Sequence, residues 1–375
     1  MIQKATDKRT FAFIIHPIDP KRDVGRKFPA LGKLPVWLIN FLSLFFPPVY
    51  ISQIEGIRSA ETAEEVTGWF VACPLTPQRM MSLPSQVVYR KIIQTGKLAE
   101  RLGAQILGLG AFTSVVGDGG ITVAQNLNIP VTTGDSYTIA VAVRAIEQAA
   151  VRMGIPMGNS TAAVVGAAGA IGALCAELLA GQVAEMVLIG RSLEKLQPVR
   201  QRVETAGCPA VTTTTDMNAL NRANLIISVS SAVDAIIEAK HLRQGAVICD
   251  VARPRDVSRQ VVEERNDVLV IEGGMVAVPG PVDFGFNFGF PPKMAYACMA
   301  ETIALALEGR LESFTLGKNI QLSQVHTIDR IATRHGFELG GFRSFERAIT
   351  ESEIESIKAY SQLVRPAASS GQVNA

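Results

Sequence analysis

Histidine and cysteine are scarce in this chain, four and five among 375 residues. Cys73, Cys175, Cys208, Cys249 and Cys298 are scattered, odd in number and never spaced as CxxC, which argues against a disulfide framework and against a zinc site. No metal ligand set is expected, and a reducing compartment is the default. An excess of one charge is also lacking. The 36 Lys and Arg against 34 Asp and Glu leave +2, which gives no electrostatic case for nucleic acid. No apolar run reaches the roughly 20 residues that cross a bilayer. The opening MIQKATDKRT is too charged, and the FAFII after it too short, for a signal peptide. Internal repeats are absent, and the single low-complexity stretch, RPAASSGQVNA at 365–375, is expected to be disordered. The expected location is the cytoplasm.

What is present begins with VWLINFLSLFF, residues 36–46, eleven strongly apolar residues closed by Pro47-Pro48. Lys21, Arg22, Arg26, Lys27 and Lys33 precede it. Three readings stay open: an interfacial helix resting on anionic lipid, a lid over an apolar tail, and a core helix.

The middle of the chain alternates short apolar runs with helical segments: TAAVVG, MVLIG, AVTTT, NLIISVS, AVICDV and VLVIEGG. That alternation predicts an α/β fold with a doubly wound parallel sheet, a Rossmann-type nucleotide domain over 156–280. Before it, 1–155 reads as a mixed α/β substrate domain. Strands are expected near 49–57, 66–72 and 105–110, with helices at 84–102 and, capped by Asp135 or Ser136 and stopped by Gly154, up to Met153. After it, 281–364 reads as a helical region that folds back on the first domain, with helices from Pro291 or Pro292 to Glu308 and from Leu322 to Arg334. A cleft between the two domains is the expected ligand site.

VVGAAGAIG sets Gly166, Gly169 and Gly172 at a strand-to-helix turn, with Ala167, Ala170 and Ile171 between them. Glycines allow close backbone approach, and a helix N-terminus offers free N–H groups to a pyrophosphate. The bland alternative is a small-residue helix that merely packs closely. The next strand ends in Gly190-Arg191-Ser192, where an NAD site carries an acidic residue; an arginine there suits the 2′-phosphate of NADP(H). A solvated loop arginine is the alternative. By topology, Ser228, Val229 and Ser230 end a strand beside the nicotinamide, and Gly273-Gly274 open a flexible loop next to it.

Read from the residues alone, Cys298 in YACMAE is open between packing and chemistry, because free cysteine is a commonly buried small hydrophobe. Cys73 before Pro74 is the other candidate thiol, and no histidine has a spacing that assigns it as base.

Over 47–339, LGAFTSVV, TTGDSYT, VVGAAGAIG, EGGMV, YACMAE, GKNIQL and RHGF occur in one consistent order. In these motifs the chain resembles the long-chain acyl-[acyl-carrier-protein] reductases of cyanobacterial type. That resemblance implies NADPH-dependent reduction of a fatty acyl thioester, carried by acyl carrier protein or coenzyme A, to a fatty aldehyde. It places Cys298 on the cysteine that becomes acylated, and it allows magnesium a part without naming ligands. Two departures stand out: Asp135 and Tyr137 occupy positions where that family carries Asn and His, and the first 46 residues fall outside the resemblance. Two rival expectations remain, a shikimate- or quinate-type NADP dehydrogenase and a non-catalytic homologue that binds NADP or acyl groups.

Overall fold

The computed structural model describes residues 8–232 and 234–363. The 365–375 tail lies outside the described residues. FAFII forms most of strand β1 (Thr10–Ile15), and its Phe11, Ala12, Phe13 and Ile14 are all buried, as expected of a parallel strand covered on both faces. Helices α1 (Pro20–Lys27) and α2 (Val36–Ser43) follow. Asp19 caps α1 by accepting the Arg22 N–H, and Pro20 sits where its missing N–H costs nothing.

Strands β2 (Val49–Arg58) and β3 (Glu65–Ala72) pair antiparallel, and α3 (Pro77–Ser82) and α4 (Ser85–Arg101) come next. The two-residue β4 (Leu107–Gly108), helices α5 (Phe112–Val115) and α6 (Ile121–Gln125), and β5 (Val131–Thr132) complete the first half. Its sheet runs β2-β3-β1-β4-β5, parallel apart from β2.

Helix α7 (Asp135–Met153) links this half to the next. Gly154, at φ +69°, stops it in the left-handed conformation that glycine tolerates. At its other end the expected side-chain cap is absent: Gly134, at φ +77°, holds the cap position.

The second sheet contains β6 (Thr161–Val165), β7 (Glu185–Ile189), β8 (Val211–Thr214), β9 (Leu225–Ser228), β10 (Val247–Asp250) and β11 (Leu269–Glu272). Helices α8 (Ala170–Leu179), α9 (Leu193–Thr205) and α10 (Arg259–Glu264) connect them. All six strands are parallel, in the order β11-β10-β9-β6-β7-β8. The order reverses between β6 and β9, which opens the crevice where doubly wound folds bind ligands.

Two expectations need correction beyond this sheet. Gly273-Gly274 lead into a strand, β12 (Met275–Ala277), and residues ahead of Cys298 form its partner β13 (Met294–Tyr296) rather than the first turn of a helix. Pairing of Val276 with Ala295 satisfies backbone that would otherwise be a loose loop or an early helix turn. Helix α11 therefore begins at Ala297 (Ala297–Glu308). Helix α12 (Leu322–His335), β14 (Glu338–Leu339) beside β12, and α13 (Glu351–Leu363) end the described chain. Helix α11 packs on β1, β4 and α7, while α7 also packs on α8, β9 and β10, so the two halves share one buried seam.

Candidate active site

A cavity of about 2130 Å³ lies between the halves. One wall is the glycine turn. Gly166 has φ +81°, and a Cβ there would lie 2.6 Å from the Val229 carbonyl oxygen; one on Gly172 would lie 2.5 Å from the Gly166 oxygen. These close approaches require glycine and bring the N-terminus of α8 level with the ends of β6 and β9. Gly166, Gly169, Ala170, Ile171 and Gly172 line the cavity, as do Arg191, Ser192, Val229, Ser230, Gly273 and Gly274.

Two of the sequence candidates are placed elsewhere. Ala167 is fully buried beneath the turn, its N–H donated to the Ile189 carbonyl. Ser228 is buried and donates its hydroxyl to Asp256 at 2.6 Å. Asp256 also accepts the Ser230 N–H at 2.9 Å and hydroxyl at 2.6 Å, so it fixes the loop after β9. Sequence reading missed Asp256. Ser192 caps α9 by accepting the Lys195 N–H, while Arg191 and Lys195 present two cations to the cavity at the end of β7. The closely approached glycines, the open helix N-terminus and this cation pair fit a phosphorylated dinucleotide.

The opposite wall carries Cys298, partly exposed while the other four cysteines are buried. It stands in the first turn of α11, where Met299 and Cys298 N–H groups face the sulfur and favour a thiolate. Burial outweighs them, and with the nearby Asp135 and Glu301 carboxyls it pushes the thiol up to about 12. Cys73 also borders the cavity, but it is fully buried, and burial raises its thiol to about 11.

Asp135 lies in the first turn of α7 and lines the same cavity. Burial, and then the charge of Glu301, push its carboxyl up to about 7, so it is part-ionised at neutral pH. Glu301 itself is fully buried. It accepts the Tyr137 N–H at 2.9 Å and the Thr132 hydroxyl, which ties the start of α7 to α11 one turn beyond Cys298. Tyr137 is buried, its hydroxyl has no hydrogen-bond partner among the described residues, and burial raises it to about 12.

On the far side, His16 accepts the Phe112 N–H through Nε2 at 3.2 Å, and burial lowers its pKa to about 4, which keeps the ring neutral. Ala111 adopts φ +48°, a costly conformation for a residue with a Cβ, in the loop whose Gly110 abuts the Cys298 sulfur. Arg253 bonds the Tyr296 hydroxyl at 3.1 Å and borders the cavity; its only sequence signal was the RPRD run after a core strand. The N-terminal segment lines the cavity with the apolar Ile18, Leu34, Ile39, Leu42 and Phe46, and also with Asp19, Arg22, Asp23, Arg26 and Lys27. Among the described residues no three His, Cys, Asp or Glu gather as a metal site.

Comparison with known proteins bears on the fold of the second half. Residues 147–272 match the family described as Shikimate / quinate 5-dehydrogenase. This half is a Rossmann-type NAD(P)-binding domain. The aminotransferase PigE of a Serratia species is 32% identical over 292 residues, 76% of this chain and 34% of that protein. The chain thus spans about a third of that relative's length. The long-chain acyl-[acyl-carrier-protein] reductase of Synechococcus elongatus is 27% identical over 307 residues, 78% of this chain and 87% of the relative. The solved L-tryptophan dehydrogenase of Nostoc punctiforme aligns over 94% of this chain and 87% of its own at 12% identity, with a TM-score of 0.41. The matched family is named for a dehydrogenase and the Synechococcus relative for a reductase, whereas PigE is named an aminotransferase.

Proposed function

We propose that the chain is an NADPH-dependent reductase that converts long-chain acyl thioesters to aldehydes through an acyl group carried on Cys298. The observation that carries this reading is that the one partly exposed thiol opens on the same cavity as the glycine turn, a cavity that Ile39, Leu42 and Phe46 also line. A thioester is exchanged most directly by another thiol, since the attacking and departing atoms are then alike.

In this reading Ile39, Leu42 and Phe46 hold the acyl tail and align the thioester carbonyl with the Cys298 sulfur. As sulfur attacks, the thiol proton passes to the Asp135 carboxylate. The carbon–sulfur bond to the carrier then breaks, and the proton returns to the departing carrier thiolate, leaving an acyl thioester on Cys298. General acid–base help of this kind contributes about 10²–10⁴-fold. Gly166, Gly172, Arg191 and Lys195 would hold the cofactor, which when bound supplies a hydride. With hydride added to the acyl carbon, the bond to Cys298 breaks, the aldehyde leaves, and the thiolate recovers a proton from solvent. The net change consumes one acyl thioester, one NADPH and one proton, and yields aldehyde, free carrier thiol and NADP⁺.

Arg191 and Lys195 favour NADPH over NADH in this scheme, because a 2′-phosphate would lie between two cations. The test is NADPH oxidation with matched substrates. Long-chain acyl-carrier-protein or acyl-coenzyme A thioesters should support it with aldehyde formed in equal amount, whereas turnover of shikimate or quinate, or none at all, would defeat the reading.

A further inference from the structure

Helix α2, with the turn that follows it to Phe46, is apolar on two faces. Ile39, Leu42, Ser43 and Phe46 line the cavity, whereas Trp37, Phe41 and Phe45, repeating every four residues, point outward at 69%, 49% and 70% exposure. The helix is not a loose arm. Its buried Asn40 accepts the Thr76 hydroxyl and donates to Gln78, both at 2.6 Å, while Arg79 donates to the Asn40 carbonyl and Lys91 to the Phe46 carbonyl. A rigid helix therefore displays an aromatic ridge to solvent, with Phe41 and Phe45 ring centres 5.4 Å apart.

The chain segments that build this ridge and its support carry charge of one sign, while α1, which packs on α2, brings Asp23 and its cap Asp19. Residues 24–54 and 66–99, which build α2 and the α3–α4 surface that holds it, contain no Asp or Glu although the chain has 34. They carry Arg26, Lys27, Lys33, Arg79, Arg90, Lys91 and Lys97. Arg26 and Lys27 are engaged inward, on Asp23 with the Phe288 carbonyl and on the Ile51 carbonyl. Lys33, Arg90 and Lys97 are exposed and form no salt bridge among the described residues. Further large apolar side chains exposed in the same two segments are Phe28, Val36, Tyr50, Met81 and Val87.

We propose that this face seats on an anionic lipid bilayer, with Trp37, Phe41 and Phe45 inserted at the headgroup boundary and the surrounding cations over anionic headgroups. Aromatic rings flanked by cations, on segments that carry no carboxylate, are what such an interface binds. A partner protein would be expected to meet hydrogen-bonding groups, but the two polar side chains of α2, Asn40 and Ser43, are buried and already satisfied. The inner face of the same helix borders the cavity, so an apolar molecule would have one helix to pass between bilayer and cavity. The inference stands apart from the chemistry assigned to Cys298.

The test is vesicle flotation of the full chain on phosphatidylcholine with and without about 30% phosphatidylglycerol, at low and high salt. The protein should float with the anionic vesicles and be weakened by salt. Lipids brominated near the headgroup should quench fluorescence in the native chain but not in Trp37→Phe. The triple variant Trp37→Ala, Phe41→Ala, Phe45→Ala should lose vesicle affinity by roughly tenfold or more while melting temperature and NADPH binding hold. Absence of flotation, or flotation unchanged in a folded triple variant, would overturn the proposal, as would binding to an acidic carrier protein through this face without any affinity for vesicles.

Discussion

Gly134 and Cys298 touch backbone to backbone: a Cβ on residue 134 would lie 2.3 Å from the Cys298 α-carbon. The first turns of α7 and α11 are thus pressed together, and the thiol is held at a fixed place on the cavity wall. Glu301 closes the same joint from below by accepting the Tyr137 N–H.

Gly134→Ala should be among the most damaging small substitutions in the chain. The new methyl meets backbone, which cannot swing aside, and φ +77° is unfavourable for any residue with a Cβ. A loss of about 2–4 kcal/mol in stability is expected from overpacking and strain together. Chemical denaturation measures it, and cysteine alkylation in the folded variant should show a displaced Cys298.

Asp135→Asn should separate stability from activity. The carboxyl is raised in the folded protein to about 7 from 3.8, so the native state holds its proton more tightly than the unfolded chain does. Wild-type stability is therefore fully present below about pH 4 and falls as pH rises toward 7. The amide has no proton to lose, so the variant should match wild type near pH 4 and exceed it by about 1–3 kcal/mol at pH 8. Acylation of Cys298 should nonetheless slow by about tenfold or more, because the proton acceptor is gone. Unfolding curves at the two pH values and single-turnover acylation test both halves.

Arg191→Ala should weaken NADPH binding by about 1.5–3 kcal/mol and leave NADH nearly unchanged, since the lost hydrogen bonds are charge-assisted ones to the 2′-phosphate. Fluorescence titration with both cofactors decides it, and equal losses would remove Arg191 from the site.

Ile39→Trp or Leu42→Trp should shorten the acyl chain that is accepted, because both side chains line the cavity from the inner face of α2. Each methylene left in water forfeits about 0.8 kcal/mol, so the penalty on kcat/KM should grow with chain length. A penalty independent of length would place the tail elsewhere.

Much of this architecture was legible because it is written in local periodicity. The strands of the second sheet stand where short apolar runs alternate with helices, and Gly166, Gly169 and Gly172 mark their turn by residue type. The start of α11 was not legible, since MAY ahead of Cys298 becomes a strand only through pairing with Met275–Ala277, some twenty residues earlier. For the same reason the sequence reading placed Cys298 beyond the first helical turn, where the structure puts it inside that turn. Asp135 drew notice as a candidate helix cap and as a departure from a motif; its altered acidity comes from burial beside Glu301, which no spacing reveals. The apolar 36–46 segment hid a subtler fact, because hydropathy alone cannot say that Ile39 and Leu42 face a cavity while Trp37 and Phe41 face solvent.

Acyl transfer to Cys298 is tested most directly by intact-protein mass spectrometry after incubation with a long-chain acyl thioester in the absence of NADPH. The native chain should gain the mass of one acyl group and lose it, with aldehyde appearing, when NADPH is added. Cys73→Ala should label like the native chain. Cys298→Ala, a small change at a partly exposed site, should fold and bind NADPH yet gain no mass. Acyl labelling or aldehyde formation that persists in Cys298→Ala would contradict the account.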